Sequence, residues 1–337
     1  MSLATIEDAP REQRLAAFPT RKTVGQSALA IAAGAVWLGF AFLTLHWPDT
    51  GDWGRGPELA WAGAAFGAVL VAGGLFGGAS PRASKRLRRS TPWFLVLGLF
   101  FSLWQAATAK FELLPQPFFP PPHALLEVFV DDWSKLGAGV IASLKLELLG
   151  FLAGAGAGFV IGVSLGWSRA FGYWAHPVMR LIGPLPSIAW LPIAFFAFPS
   201  SWSASIFLIG LTTAFPVAVL TWSGVASVNS AYYDVARTLG ASPAFLIFKV
   251  AIPAALPHVF VGLFMGLGAS FAVLVTAEMM GVKAGLGFYL QWAQGWAAYA
   301  NMYAALLVIS LMCSGLVTLL FRLRDRVLSY QKADVQW

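Results

Sequence analysis

The sequence predicts an all-α, polytopic membrane protein with about eight transmembrane helices. Its 337 residues are 58% hydrophobic and 11% charged, whereas soluble domains carry about 25% charged residues. The apolar residues fall into eight stretches, 26–46, 59–78, 93–110, 145–167, 183–199, 204–225, 256–278 and 300–321. Each is near the roughly 20 residues that cross a hydrocarbon core about 30 Å thick. The third observation is the placement of charge. With the first residues inside, the inner segments 1–22, 79–92, 168–182, 226–255 and 322–337 hold 17 of the 22 Lys and Arg. Arg55, Lys135 and Lys283 fall in outer loops, and Lys110 and Lys145 at helix edges. This bias predicts that both termini are cytoplasmic. The formal charge of +7 is then topological rather than a sign of nucleic-acid binding.

Glu7, Asp8, Arg11, Glu12 and Arg14 leave no apolar core near the start, so no secretory signal is expected there. In the outer segment 111–144, Pro115, Pro117 and Pro120 to Pro122 favour extended backbone. The run 123–136 that follows reads either as a short helix on the outer surface or as a plain connector. In the fourth stretch Gly150, Gly154, Gly158, Gly162 and Gly166 recur every four residues and form one smooth stripe along a helix. Such a stripe is expected to pack closely against a neighbour. The fifth stretch carries Pro184, Pro186, Pro192 and Pro199. Interior prolines free carbonyls, so this span is either kinked or broken along a transport route. Glu278 closes the seventh stretch. It is either a functional intramembrane carboxylate or a helix end in water.

Several chemistries are absent from the sequence. There is no G-x-x-x-x-G-K-[ST] loop, no H-E-x-x-H and no G-x-S-x-G. His46, His123, His176 and His258 lack metal-ligand spacing, and the single Cys313 excludes an internal disulfide and any multi-cysteine metal site. Without a series of intramembrane carboxylates, a proton-driven pump has little support. Energy for work is expected from a partner.

The stretch from Tyr232 to Pro257, YYDVARTLGASPAFLIFKVAIPAALP, is too polar to cross a bilayer and too regular for a loop. Tyr232 to Leu239 supply two helical turns. Gly240 can end them in a left-handed conformation. Ser242 and Pro243 suit the N-cap and first position of a second helix. Pro253 and Pro257 are expected to stop it before the next span. The result is a helix, a glycine elbow and a helix, suited either to transmitting force from a docked protein or to floating at the lipid surface.

This stretch resembles the cytoplasmic-loop motif of binding-protein-dependent, ATP-driven importers, E-A-A, three residues, G, nine residues, I-x-L-P. The chain has Asp234-Val235-Ala236, then Gly240, then nine residues, then Val250-Ala251-Ile252-Pro253. Val235 departs from the small residue usual there. VARTLGASPAFLIFKVAIPAALPHVFVGL, RLIGPLPSIAWLPIAFFAF and VTAEMMGVKAGLGFYL look like the nitrate/sulfonate/taurine branch, and the likeness covers roughly 93–325. It implies a type I ABC importer permease core of six helices over 93–325. Ahead of the core lies an extension, 1–92, with two extra spans of unassigned role, and behind it a cytoplasmic tail, 326–337. Within the loop 226–255, Asp234, Val235, Ala236, Arg237, Thr238, Leu239, Gly240, Ala241 and Ser242 would couple to a separate ATPase subunit. The assembly implied is a homodimer, or a heterodimer with a similar permease. It would work with two ATPase copies and an extracytoplasmic binding protein in the bacterial inner membrane. ATP would be bound by the partner, leaving this chain without a cofactor or metal of its own.

The substrate implied is a small anion of the nitrate, alkyl sulfonate or taurine class, or else a neutral or aromatic nutrient. Pro186, Trp190, Pro192, Thr212, Thr213 and Phe215 are expected along its route, with Glu278 as a further candidate. The threonine hydroxyls can bond an anion's oxygens without a fixed buried charge. Core packing competes as the reading of Trp190 and Phe215. A membrane-embedded enzyme or a stand-alone channel are the alternatives, and neighbouring genes for an ATPase and a secreted binding protein would separate them.

Overall fold

Apolar runs bounded by Pro, Gly and Ser become helices here, because in hydrocarbon every backbone N–H must be bonded within its own segment. The computed structural model describes residues 21–51, 54–76, 81–183 and 185–329. The expectations about the first residues, Pro184 and the end of the tail lie outside these. The chain forms two compact units, Met1–Asp131 and Asp132–Trp337.

In the first unit, α1 (Arg21–His46), α2 (Gly56–Phe76) and α3 (Pro81–Gln105) pack together. Helix α3 runs through the expected boundary at 92/93. Its stretch, grouped from sequence with the later spans, packs against α1, and its Phe94 meets Phe66 of α2. Trp37 sits edge-on to Phe40 and Phe66 and beside Phe101, and its Nε1 donates to Phe94 O at 2.9 Å. A π-turn, Ala106–Lys110, follows α3 and carries Lys110 into the interior. A buried ammonium needs a partner. Lys110 has one in Asp49 at 2.8 Å, and it also donates to the carbonyls of Thr44 and Trp47. The run 123–136 is not one helix on the surface. Helix α4 (Pro122–Asp131) ends before Trp133, and Pro122, His123, Ala124 and Leu125 are buried. Its inward face rests on α2 and α3. Gln105 and His123 satisfy each other there at 3.2 Å.

The second unit comprises α5 (Trp133–Trp167), α6 (Arg169–Ile182), a 3₁₀ turn Ser187–Trp190 leading into α7 (Leu191–Ala197), and α8 (Ser201–Ala226). Then come α9 (Ser230–Thr238), α10 (Pro243–Met280), α11 (Leu286–Gly295) and α12 (Tyr299–Val327). Helix α8 lies between α5 and α10. Leu146, Leu191, Leu208, Ile209, Val273 and Leu274 form the main core around it. Among the described residues, seven helices are long and apolar enough to cross a membrane. Of the two readings of the fifth stretch, kinked or broken, the structure has the break. The place of the stretch is taken by α6 and the segment Ser187–Ala197, bent by 89°. The prolines explain the break, since each removes a donor that a straight helix would need.

Pro253 and Pro257 do not stop a helix, as they were expected to. Helix α10 runs through both, because a π-turn, Leu246–Ala251, changes the register first. Ile252 N–H donates to Ile247 O, five residues back, which puts Pro253 in the first turn of the next segment, where no N–H is required. Asp132 ties three helix ends together. It accepts from Tyr289 OH at 2.7 Å, Asn301 Nδ2 at 3.1 Å and Lys135 Nζ at 2.7 Å.

Candidate functional site: the cavity beside the broken helix

A cavity of about 510 Å³ opens where the chain breaks between α6 and α7. Pro186 and Ser187 of the break, Thr212 and Phe215 of α8, and Met265 and Ala269 of α10 line it. Among the described residues, no charged side chain does. The Thr212 hydroxyl donates to Leu208 O at 2.8 Å and keeps its lone pairs for another donor. Phe215 closes against Gly183, where a Cβ would enter its ring. Beyond Phe215 a wider space of about 1020 Å³ is lined by Tyr173, His176 and Arg180 of α6 and Trp222 of α8.

The structure divides the expected route residues. Pro186, Thr212 and Phe215 meet at the cavity, whereas Trp190, Pro192 and Thr213 are not part of its wall. Trp190 packs on the core. Pro192 is exposed on α7. Thr213 is fully buried, donates to Ile209 O at 2.9 Å, and has Gly266 of α10 against it. Glu278 is 1% exposed, so it is not a helix end in water. Its Oε2 accepts from Gly287 N at 2.7 Å, at the start of α11, where a carboxylate also faces the positive end of the helix dipole. Ser143 Oγ accepts from Leu286 N at 2.9 Å. Gly285, at φ +102°, lies so close to the Glu278 carboxyl that a side chain there would overlap it.

The glycine stripe faces α8. Gly150 lies on Ile209, Gly154 on the backbone of Gly210, Gly158 on Ala214 and Val217, Gly162 on Ala218 and Thr221, and Gly166 on Val225. Sequence reasoning missed Glu147, which is 0% exposed and accepts from Ser270 Oγ at 2.5 Å. Its signal was available: Gly139, Ser143 and Glu147 also recur every four residues, and Glu147 lies three before Gly150, on the same side of α5.

In the stretch opened by Asn229, α9 is followed by Gly240 at φ +80°. Ser242 caps the next helix, accepting from Phe245 N at 3.3 Å with Pro243 at its first position. Asp234 is not in the first turn of α9. The cap there is Asn229, unnoticed in the sequence, which accepts from Ala231 N at 2.9 Å. Asp234 pairs with Arg237 at 3.4 Å, both exposed. Tyr232, Val235 and Leu239 are exposed apolar side chains of the same stretch, which also holds Ala236, Thr238 and Ala241.

Residues 154–329 match the profile of the binding-protein-dependent transport system inner membrane component. The chain is 34% identical to the bicarbonate transport system permease protein CmpB of Synechococcus elongatus, over 72% of this chain and 91% of that protein. This chain belongs to that permease family. The permease is also 33% identical to the nitrate import permease protein NrtB of Synechocystis sp., over 63% of this chain and 75% of the relative. It is 31% identical to the taurine transport system permease protein TauC of Escherichia coli, over 71% and 86%. Among solved structures it aligns with a chain of the MetNI methionine ABC transporter at a TM-score of 0.48 and 19% identity, over 57% of this chain and 94% of that one. It is therefore the membrane permease subunit of an ABC importer, a multi-pass inner-membrane transport subunit and not an enzyme. Its family implies an ATPase and a binding protein as partners.

Proposed function

We propose that this permease passes a small oxyanion, or a solute bearing one, through the cavity beside Pro186, Thr212 and Phe215. The observation that carries the reading is a wall with the Ser187 hydroxyl free to donate and, among the described residues, no charge. Conduction needs binding strong enough to admit a solute and weak enough to release it. A fixed lysine or arginine inside the cavity would hold an anion too well. The relatives named for nitrate, bicarbonate and taurine all handle oxyanion groups, which supports the same class here. Ile161, Met179, Ile182 and Leu211 give the cavity a largely apolar wall, which favours a neutral or aromatic nutrient as the second reading.

In this proposal the permease works as a homodimer with two ATPase copies, both termini cytoplasmic, and ATP bound by the partner alone. The segment from Asn229 to Ser242 docks on the ATPase, presenting Tyr232 and Val235 from α9 and Leu239 just after it. ATPase closure then moves α8 and α10, which flank that segment and carry most of the cavity wall. The test is ATP-driven uptake by the transporter reconstituted with its ATPase and binding protein. Nitrate, bicarbonate and taurine are offered beside a neutral aromatic solute. Uptake of the aromatic solute alone would replace the anion reading with the second one.

A further inference from the structure

We propose that Arg180 receives the transported oxyanion as it leaves the neutral cavity, and so sets this permease's preference for anions. This rests on the reading that an anion crosses beside Thr212 and Phe215. It is carried by the order of chemistries along the route. The cavity offers the Ser187 hydroxyl as a donor and, among the described residues, no charge. Phe215 and Gly183 border both this cavity and the wider space beyond, so the Phe215 ring stands between the two. In the wider space stands Arg180, with Tyr173 and His176 on the same helix. His176 is held edge-on to Trp222, with ring centroids 4.5 Å apart.

Among the described residues Arg180 forms no ion pair; the pairs there involve other cations. Its guanidinium therefore keeps five donors in a planar fork that matches two oxygens of a nitrate, carbonate or sulfonate group. An anion weakly held in this neutral cavity has a favourable next step across Phe215. Arg180 is exposed, so water competes and release stays fast. A cation placed beyond a neutral cavity draws the anion through without trapping it inside. Arginine near a membrane surface can also bind a lipid phosphate through the same fork, and the experiment separates these sources.

The complete transporter, with its ATPase and binding protein, is reconstituted in phosphatidylcholine vesicles, with and without phosphatidylglycerol. Uptake of nitrate, bicarbonate and taurine is measured. Arg180→Gln should slow uptake of the accepted anion by about three- to tenfold, equally in both lipids. Arg180→Lys should recover part of the rate, since it restores the charge without the fork. In a Cys313→Ser background, Arg180→Cys should regain speed after reaction with a trimethylammonium thiol reagent and not with a sulfonate one. That rescue sets lost charge apart from misfolding. Uptake by Arg180→Gln at the wild-type rate would overturn the proposal and leave the anion reading intact. A defect confined to phosphatidylglycerol vesicles would overturn it and give Arg180 to lipid phosphate. If wild type accepts none of the three anions, the anion reading falls and this inference with it.

Discussion

Glu278 accepts from the N–H of Gly287, where the chain turns from α10 into α11. Replacing it by Ala leaves that buried donor unpaired, a loss of about 1–3 kcal/mol. Gln keeps one acceptor oxygen and should lose less. Thermal unfolding of the purified transporter in detergent should therefore rank wild type, Glu278→Gln and Glu278→Ala in falling order. Equal midpoints for the two variants would mean that the bond to Gly287 is not what Glu278 contributes. Gly240 is a different case. A Cβ there would meet open space, so its cost is conformational, roughly 1 kcal/mol for a side chain at positive φ. Gly240→Val and Asp234→Lys should leave membrane insertion intact while ATP hydrolysis continues without uptake. Reconstituted vesicles read both rates. Full uptake by both variants would reduce α9 to a surface helix.

At the level of elements, α5 and α8 approach through glycine. A Cβ at Gly154 would press on the Gly210 carbonyl, and one at Gly158 on that of Ala214. Backbone cannot step aside as a side chain can. Gly154→Leu and Gly158→Leu should abolish assembly, seen as loss of the monodisperse peak on gel filtration. Gly156, one turn position away with nothing within 4 Å, gives the control, and Gly156→Leu should assemble normally. Asp132 holds the starts of α5 and α12 against α11. Burial pushes its carboxyl up, but hydrogen bonds from Lys135, Tyr289 and Asn301 outweigh this and leave it below the ordinary value. A group depressed on folding contributes stability above its unfolded pKa and loses it as pH falls through the folded one. Unfolding midpoints should thus drop on acidification below about pH 4, and Asp132→Asn should flatten that drop.

For the whole molecule, the two adjacent threonines of α8 report on where the route lies. Thr212 lines the cavity and Thr213 faces α10. In a Cys313→Ser background, Thr212→Cys should react with a small polar thiol reagent to an extent that changes with ATPase state. Thr213→Cys should stay protected in every state. Labelling of both at one rate would mean that α8 turns or separates from α10 during transport.

Composition and hydropathy alone determined that this chain is helical and crosses the membrane many times. A hydrocarbon solvent leaves a chain so poor in charge few other solutions. Short-range chemistry was equally readable: Ser242 and Pro243 start a helix, and Gly240 stands where a left-handed turn is needed. Four-residue spacing put five glycines on one face, but that the face lies against α8 depends on contacts about 60 residues distant. Tertiary structure alone decided the passage of α10 through Pro253 and Pro257 and the burial of Glu147, Lys110 and α4. The reason is common to all of these. Whether a proline stops a helix, or a charge meets water, depends on which distant group supplies the missing bond, and neither spacing nor composition names that group.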